Sequence, residues 1–112
     1  MFSVLLVTHQ LDFSGAPHAL LSASRALKNK GLSIDLYSLN EGPLESEFLL
    51  IGVNRVRFVA FQNYDLVLLN TAVLAKFAAS IPESVRYCLW IHESPNLFMH
   101  SDVPFWVCRA AK

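Results

Sequence analysis

With 112 residues, the chain can build one compact domain with a real core and is too short for two ordinary ones. Hydrophobic residues make up 54% and charged residues 16%, which excludes disorder and favours a sheet buried on both faces. Nine basic side chains balance nine acidic ones, and the basic groupings (Lys28 with Lys30, Arg55 with Arg57) are too small for the one-sided positive surface of a nucleic-acid binder, so no nucleic-acid partner is expected.

The opening MFSVLLVTHQLD has no basic leader and turns polar after a very short apolar run, so it reads as a strand and not as a signal peptide. Phe2 to Val7 is continuous, rich in β-branched and large residues, and predicts a central parallel strand. The stretch HQLDFSGAPHALL, His9 to Leu21, then leads from this strand into an amphipathic helix. Ser14 is placed to cap it, and Pro17 costs no bond in a first turn whose N–H groups lack intrahelical partners. Ala19, Leu20, Ala23 and Leu27 share one face, with Ser22, Arg25 and Asn29 opposite. Lys28 and Lys30 suit the last turn, and Gly31 supplies a left-handed stop. Leu32, Ile34 and Leu36 alternate with Ser33 and Asp35 as a second, less buried strand, after which Asn40, Glu41, Gly42 and Pro43 turn the chain. Pro43 starts a helix with Leu44, Phe48 and Ile51 on one face, Glu45 and Glu47 near its positive end, and Gly52 closing it.

Val53 to Phe61 predicts a third strand at a sheet edge, with Arg55 and Arg57 on one face and Val56 and Phe58 on the other. Asp65 to Leu69, short and apolar like the first strand, belongs near the sheet centre. Asn70 or Thr71 caps a helix whose inner face is Leu74, Phe77, Ala78 and Ile81, and Pro82 ends it. Arg86 to Ile91 is a fifth strand, followed by His92, Glu93, Ser94 and Pro95. Two apolar strands among half-polar ones predict the order 3-2-1-4-5 with right-handed crossovers: an α/β, Rossmann-like three-layer sandwich on a mainly parallel sheet. The tail from Asn96 to Lys112 carries Phe98, Phe105, Trp106 and Val107, and the chain stops before a sixth strand can form, which suggests an excised or truncated domain. Cys88 and Cys108 form no C-x-x-C pair and no disulfide framework and read as reduced thiols of a cytoplasmic protein. No stretch approaches the roughly 18 apolar residues of a spanning helix. Peripheral contact with a membrane surface stays open.

In open α/β sheets, ligands bind beyond the carboxyl ends of the strands, and a helix N-terminus there adds free N–H groups for an anion. The HQLDFSGAP loop, Asn70 and the His92 corner share that edge in the expected order. The dinucleotide pattern G-x-G-x-x-G is missing, since the loop holds Gly15 alone; Asp35 lies about 20 residues on, as a ribose-binding acid would, but inside a strand. No Gly-Lys-Ser/Thr follows, which excludes a P-loop, and G-x-S-x-G is absent, which excludes a nucleophile elbow. Two readings of the loop stand. Gly15 permits a tight strand-to-helix turn and nothing more, or the N–H groups of Gly15 and Ala16 face an anionic ligand with His9 or Asp12 beside it. His92 likewise either donates to a sugar hydroxyl or phosphate oxygen or bonds local backbone. His92, His100 and Asp102 match no compact ligand spacing, and neither a metal nor a cofactor is expected.

THQLDFSGAPHALLSASRALKNKGLSIDLYS after an apolar strand resembles the opening of the N-terminal domain of GT-B glycosyltransferases, particularly the family-four group of retaining enzymes. EGPLESEFLLIGV resembles that group's second helix and the lead-in to its third strand, and YDLVLLNTAVLAKFA followed by LWIHES its fourth strand, third helix and fifth strand. The resemblance covers nearly all of residues 1–94. It implies a two-domain enzyme with the reaction in the cleft, moving a sugar from a nucleotide-sugar donor to a hydroxyl acceptor, glycan or lipid-linked, with retention. This chain would be the acceptor-side half, its C-terminal partner domain absent and turnover by the chain alone not expected. By the same resemblance Gly15 and Ala16 present backbone to the donor diphosphate and His92, the catalytic candidate, contacts the donor sugar or its phosphate. Asp12 and Glu93 are weaker candidates for acceptor or supporting contacts. Ser-Gly-Ala-Pro stands here where many members have two glycines. The alternative is a stand-alone, non-catalytic α/β binding or interaction module.

Overall fold

The computed structural model describes residues 2–13, 15–70, 72–91 and 105–110. Strand β1 (Ser3–Thr8) is its axis. It pairs in parallel with β2 (Ser33–Ser38) on one side and with β4 (Leu66–Asn70) on the other, in registers running from Ser3↔Ser33 to Thr8↔Ser38 and from Val4↔Leu66 to Thr8↔Asn70. Val4 and Leu6 point to one face, where Leu20, Leu21, Leu36 and Phe48 close over them. Leu5 and Val7 point to the other, among Val67, Leu69, Leu74, Ile81 and Val85. Burying each such side chain stabilises the fold by about 1.5–3 kcal/mol. An apolar run without alternation is therefore what this position needs.

Helix α1 (Gly15–Asn29) covers the first face. Its buried residues are Pro17, Leu20, Leu21 and Ser24, while Ala19, Ala23 and Leu27 are only half-buried, so the inner face is turned toward Leu21 from the one expected. Ser24 is tolerated inside because its hydroxyl donates to the Leu20 carbonyl at 2.8 Å. Gly31, at φ 84°, ends the helix: Gly31 N–H donates to Lys28 O (3.0 Å) and Leu32 N–H to Leu27 O (3.4 Å), the paired bonds of a Schellman stop. The same device closes α2 (Glu45–Leu50), where Gly52 has φ 91° and Val53 N–H donates to Phe48 O at 3.1 Å. The Ser14 cap falls outside the described residues.

The third strand is shorter than its sequence suggests. β3 is Asn54–Arg55, extended by one bond from Val56 N–H to Leu36 O at 2.8 Å. The Arg55 guanidinium, only 7% exposed, turns back to Glu45 at 2.9 Å and Glu41 at 3.3 Å, and the chain then leaves the sheet. Phe58, expected opposite the arginines in a strand, is 88% exposed instead. Val56, Val59, Phe61 and Tyr64 cross beneath the sheet and pack with Leu5, Val7 and Val67. A 3₁₀ helix over Ala72–Ser80 completes that layer, its three-residue period stacking Leu74 over Phe77. The Thr71 capping position is not described.

The order is β3-β2-β1-β4-β5-β6, which contains the expected 3-2-1-4-5 and adds one strand. β5 (Arg86–Ile91) runs parallel to β4, and β6 (Phe105–Arg109) antiparallel to β5. The aromatic tail thus contains the sixth strand that its shortness argued against, because an antiparallel return needs no crossover helix. Its register sets Cys88 opposite Cys108, with Cα atoms 4.1 Å apart, and the two are joined as a disulfide. The reduced-thiol expectation is corrected: 20 positions of sequence separation hid a pair that strand register makes adjacent. Closing a loop of this size contributes about 3 kcal/mol in the chain-entropy account. Arg109 fixes the end of β6, donating to Pro82 O (2.7 Å) and Val85 O (2.9 Å) with its guanidinium 4.7 Å from the Tyr87 ring centroid.

At the amino edge, Asp65 binds β4 to β1. Its carboxylate accepts from Ser3 N–H at 2.8 Å and from the Ser3 hydroxyl at 3.2 Å, and its own N–H donates to Ser3 O at 2.9 Å. The Ser3 N–H above all, with the Ser3 hydroxyl and the Arg86 charge, holds the Asp65 carboxyl below its ordinary range. A carboxyl lowered in the folded state stabilises it above the unfolded value of about 3.9, and that contribution is lost as pH falls through the folded value. Asp65→Ala should therefore lower the urea midpoint at pH 7, and the gap to the unaltered protein should narrow progressively below about pH 4. A gap that stays constant with pH would show that the carboxylate charge plays no part.

Candidate functional site at the carboxyl edge

Parallel strands β1, β2, β4 and β5 all end at one edge, where Thr8, Ser38, Asn70 and Trp90 are neighbours in register. Thr8 begins the first connection by donating its hydroxyl to Gln10 O at 3.1 Å. Leu11 then drops into the core and is fully buried, packed in the cluster of Leu20, Leu36, Leu44 and Phe48. Either side of this plug the chain stays near the surface: His9 and Gln10 are half-buried, and Asp12 and Phe13 are exposed. Phe13 is 65% exposed, with its ring 5.9 Å from that of His18.

The connection after β2 holds this loop from the side. Leu39 N–H donates to Thr8 O at 3.1 Å, the Asn40 side-chain amide to His9 O at 2.8 Å, and Leu44 N–H to Leu11 O at 2.9 Å. Asn40 is itself held by the Ser38 hydroxyl, which donates to Asn40 O at 2.6 Å. Gly42 lies against the Leu11 carbonyl so closely that a Cβ there would overlap it. Asn40, Gly42 and Leu11 are the residues that position the loop. As sequence they are an unremarked turn and a lone leucine in a polar stretch.

Gly15 opens α1 in a different setting. Of the four glycines, Gly31 and Gly52 have positive φ, and Gly15 does not. A Cβ added to Gly15 would meet nothing within 4 Å, and the residue is exposed. Neither the φ of Gly15 nor its packing among the described residues calls for glycine here. The first turn of α1 carries no acidic side chain, so the positive end of its dipole keeps no carboxylate of its own. Ala16 follows in the same turn.

Other candidates fall differently. Asn70 is fully buried, in register with Thr8, and forms floor and not rim. His92 and Glu93, which follow the end of β5, lie outside the described residues, as do His100 and Asp102. Asp35 sits in mid-strand and accepts the Tyr64 hydroxyl at 2.7 Å, so it ties the crossing segment to β2 instead of meeting a ribose at the edge. Burial first, and then this bond, push the Tyr64 hydroxyl well above its ordinary range. Arg55 and Arg57 are committed to carboxylates: Arg57 meets Glu41 at 2.6 Å, a bond that with the two guanidinium charges holds Glu41 below the usual carboxylate range. His9 and Asp12 lie in the connection between β1 and α1.

Comparison with known proteins matches residues 2–104 to glycosyl-transferase family 4, and the chain belongs to that family. No curated protein and no solved structure matches it. Among the described residues, no helix is long and apolar enough to cross a membrane.

Gly42→Ala tests how the loop is held. The added methyl should displace the Leu11 carbonyl, cost about 1–3 kcal/mol in chemical denaturation, and speed amide exchange at Leu44. Unchanged stability and exchange would show that the loops are not clasped at this point.

Proposed function

We propose that this member of glycosyl-transferase family 4 is the acceptor-side, N-terminal half of a GT-B enzyme that transfers a sugar from a nucleotide donor to a hydroxyl acceptor, glycan or lipid-linked, with retention. The observation that carries the reading is Gly15: an exposed glycine at a helix N-terminus, with ordinary φ and open space where its side chain would be. A glycine that its own fold does not require makes sense where something outside the chain comes close to the backbone. Diphosphate is the fitting occupant, because the first-turn N–H groups of Gly15 and Ala16 have no intrahelical acceptor and the dipole favours negative charge.

In this reading His9 or Asp12 stands beside the diphosphate, Asn70 supports the floor, His92 meets the donor sugar or its phosphate, and Asp12 and Glu93 serve acceptor or supporting contacts. The chemical demand is greatest at the departing nucleoside diphosphate, whose growing charge must be met by donors fixed in advance. Two N–H groups answer part of it. The remainder falls to basic side chains of a second domain facing this edge, so the chain by itself binds donor weakly and does not turn over. The reaction needs no metal in this scheme, since charge on the leaving group is met by N–H groups and cations of the protein.

Titration with a panel of nucleotide sugars, followed by amide NMR, tests the proposal. UDP-glucose, GDP-mannose or a relative should shift the Gly15 and Ala16 amides saturably. Gly15→Ala should weaken that binding roughly tenfold, about 1.4 kcal/mol, while leaving the thermal midpoint unchanged or raising it, because alanine is the better helix former. Equal affinity in the two proteins would remove Gly15 from the site, and sugar transfer by the 112-residue chain alone would refute the divided catalytic centre.

A further inference from the structure

We infer that the Cys88–Cys108 disulfide is a thiol-exchange site, opened in the native protein by an anionic low-molecular-weight thiol that attacks Cys108. The two sulfurs differ in access. Cys108 is exposed on β6, whereas Cys88 is half-buried and lines an apolar groove of about 300 Å³ with Ala23, Leu27 and Leu68. Both cysteines also border an open hollow of about 460 Å³ that Arg86 and Ala110 help to line. Arg86 is exposed and stands two residues before Cys88 on the same face of β5, so its charge draws in an anionic thiol and favours the thiolate left on Cys88.

The exchange balances as follows. The thiolate of the incoming RSH bonds to Cys108 Sγ, the Cys88–Cys108 bond breaks, and its electron pair leaves on Cys88 Sγ, which takes a proton from solvent. A second RSH then attacks the mixed disulfide, releasing RSSR and leaving both cysteines as thiols. Two electrons pass from two thiols to the protein. Cys108 is exposed and Cys88 half-buried, so access favours attack on Cys108, and burial sets the order of bond-breaking.

Opening the bond does not require dismantling the core. Among the described residues β6 pairs with β5 alone and is the outer strand of the sheet. Arg109, next to Cys108, keeps β6 docked through the Pro82 and Val85 carbonyls and the Tyr87 ring, so the thiols stay opposed and the bond can re-form. An inert structural disulfide would have both sulfurs buried, whereas here Cys108 is exposed.

The test is reduction of the native, oxidised protein by glutathione, with acid quenching, intact-mass measurement and peptide mapping. One glutathione should appear on Cys108 before both cysteines become thiols, without added denaturant. Arg86→Gln should slow the reaction by about fivefold, the equivalent of ~1 kcal/mol, and should slow an uncharged dithiol less. A disulfide that yields only when urea unfolds the protein, glutathione mapped to Cys88, an Arg86→Gln rate equal to that of the parent, or free thiols in protein purified under air would each overturn the assignment.

Discussion

Burial of β1 on both faces and pairing on both edges is the constraint on which the architecture depends. Every backbone N–H and C=O of such a strand must find its partner in a neighbouring strand, because no water reaches it. β2 and β4 supply those partners, and their parallel direction forces each connection to cross a face of the sheet. α1 and α2 cover one face; the crossing segment after β3 and the Ala72–Ser80 helix cover the other. The carboxyl edge follows from this arrangement, since parallel strands must all end on the same side.

The edge combines a held part with an open part. Leu11 and the bonds from Asn40 and Leu44 hold the middle of the first loop to the second, whereas Gly15 is exposed, with open space where a Cβ would stand. Among the described residues, Arg55 and Arg57 beside this edge are paired with Glu41 and Glu45. That division suits a domain whose membership of glycosyl-transferase family 4 implies sugar transfer as its broad chemistry.

The elements that sequence alone reveals are those set by local rules. An unbroken apolar run gave β1, helical spacing gave α1 and α2, and glycines at helix ends gave two stops whose φ values of 84° and 91° bear out the reading. The elements it misplaced depend on distant partners. Val53 to Phe61 alternates like a strand, yet the ion pairs of Arg55 with Glu41 and Glu45 and the pull of Val56, Phe61 and Tyr64 toward the far face end β3 at two residues. Phe105 to Arg109 has no internal mark of its role, because a sixth strand exists only through its pairing with β5.

Sequence by itself determined the fold class, the order of the five parallel strands and the family, because periodicity, end signals and chain order are local and additive. Only the tertiary structure decided that Cys88 and Cys108 are joined, that Leu11, Asn40 and Gly42 hold the loop, that Asp35 serves Tyr64, and that Gly15 is not required by its own turn. Each of these is a relation between residues far apart in the chain, or the absence of a neighbour in space. Neither leaves a trace in spacing: contact and vacancy are set by how elements pack, and packing is resolved only when the whole sheet has closed.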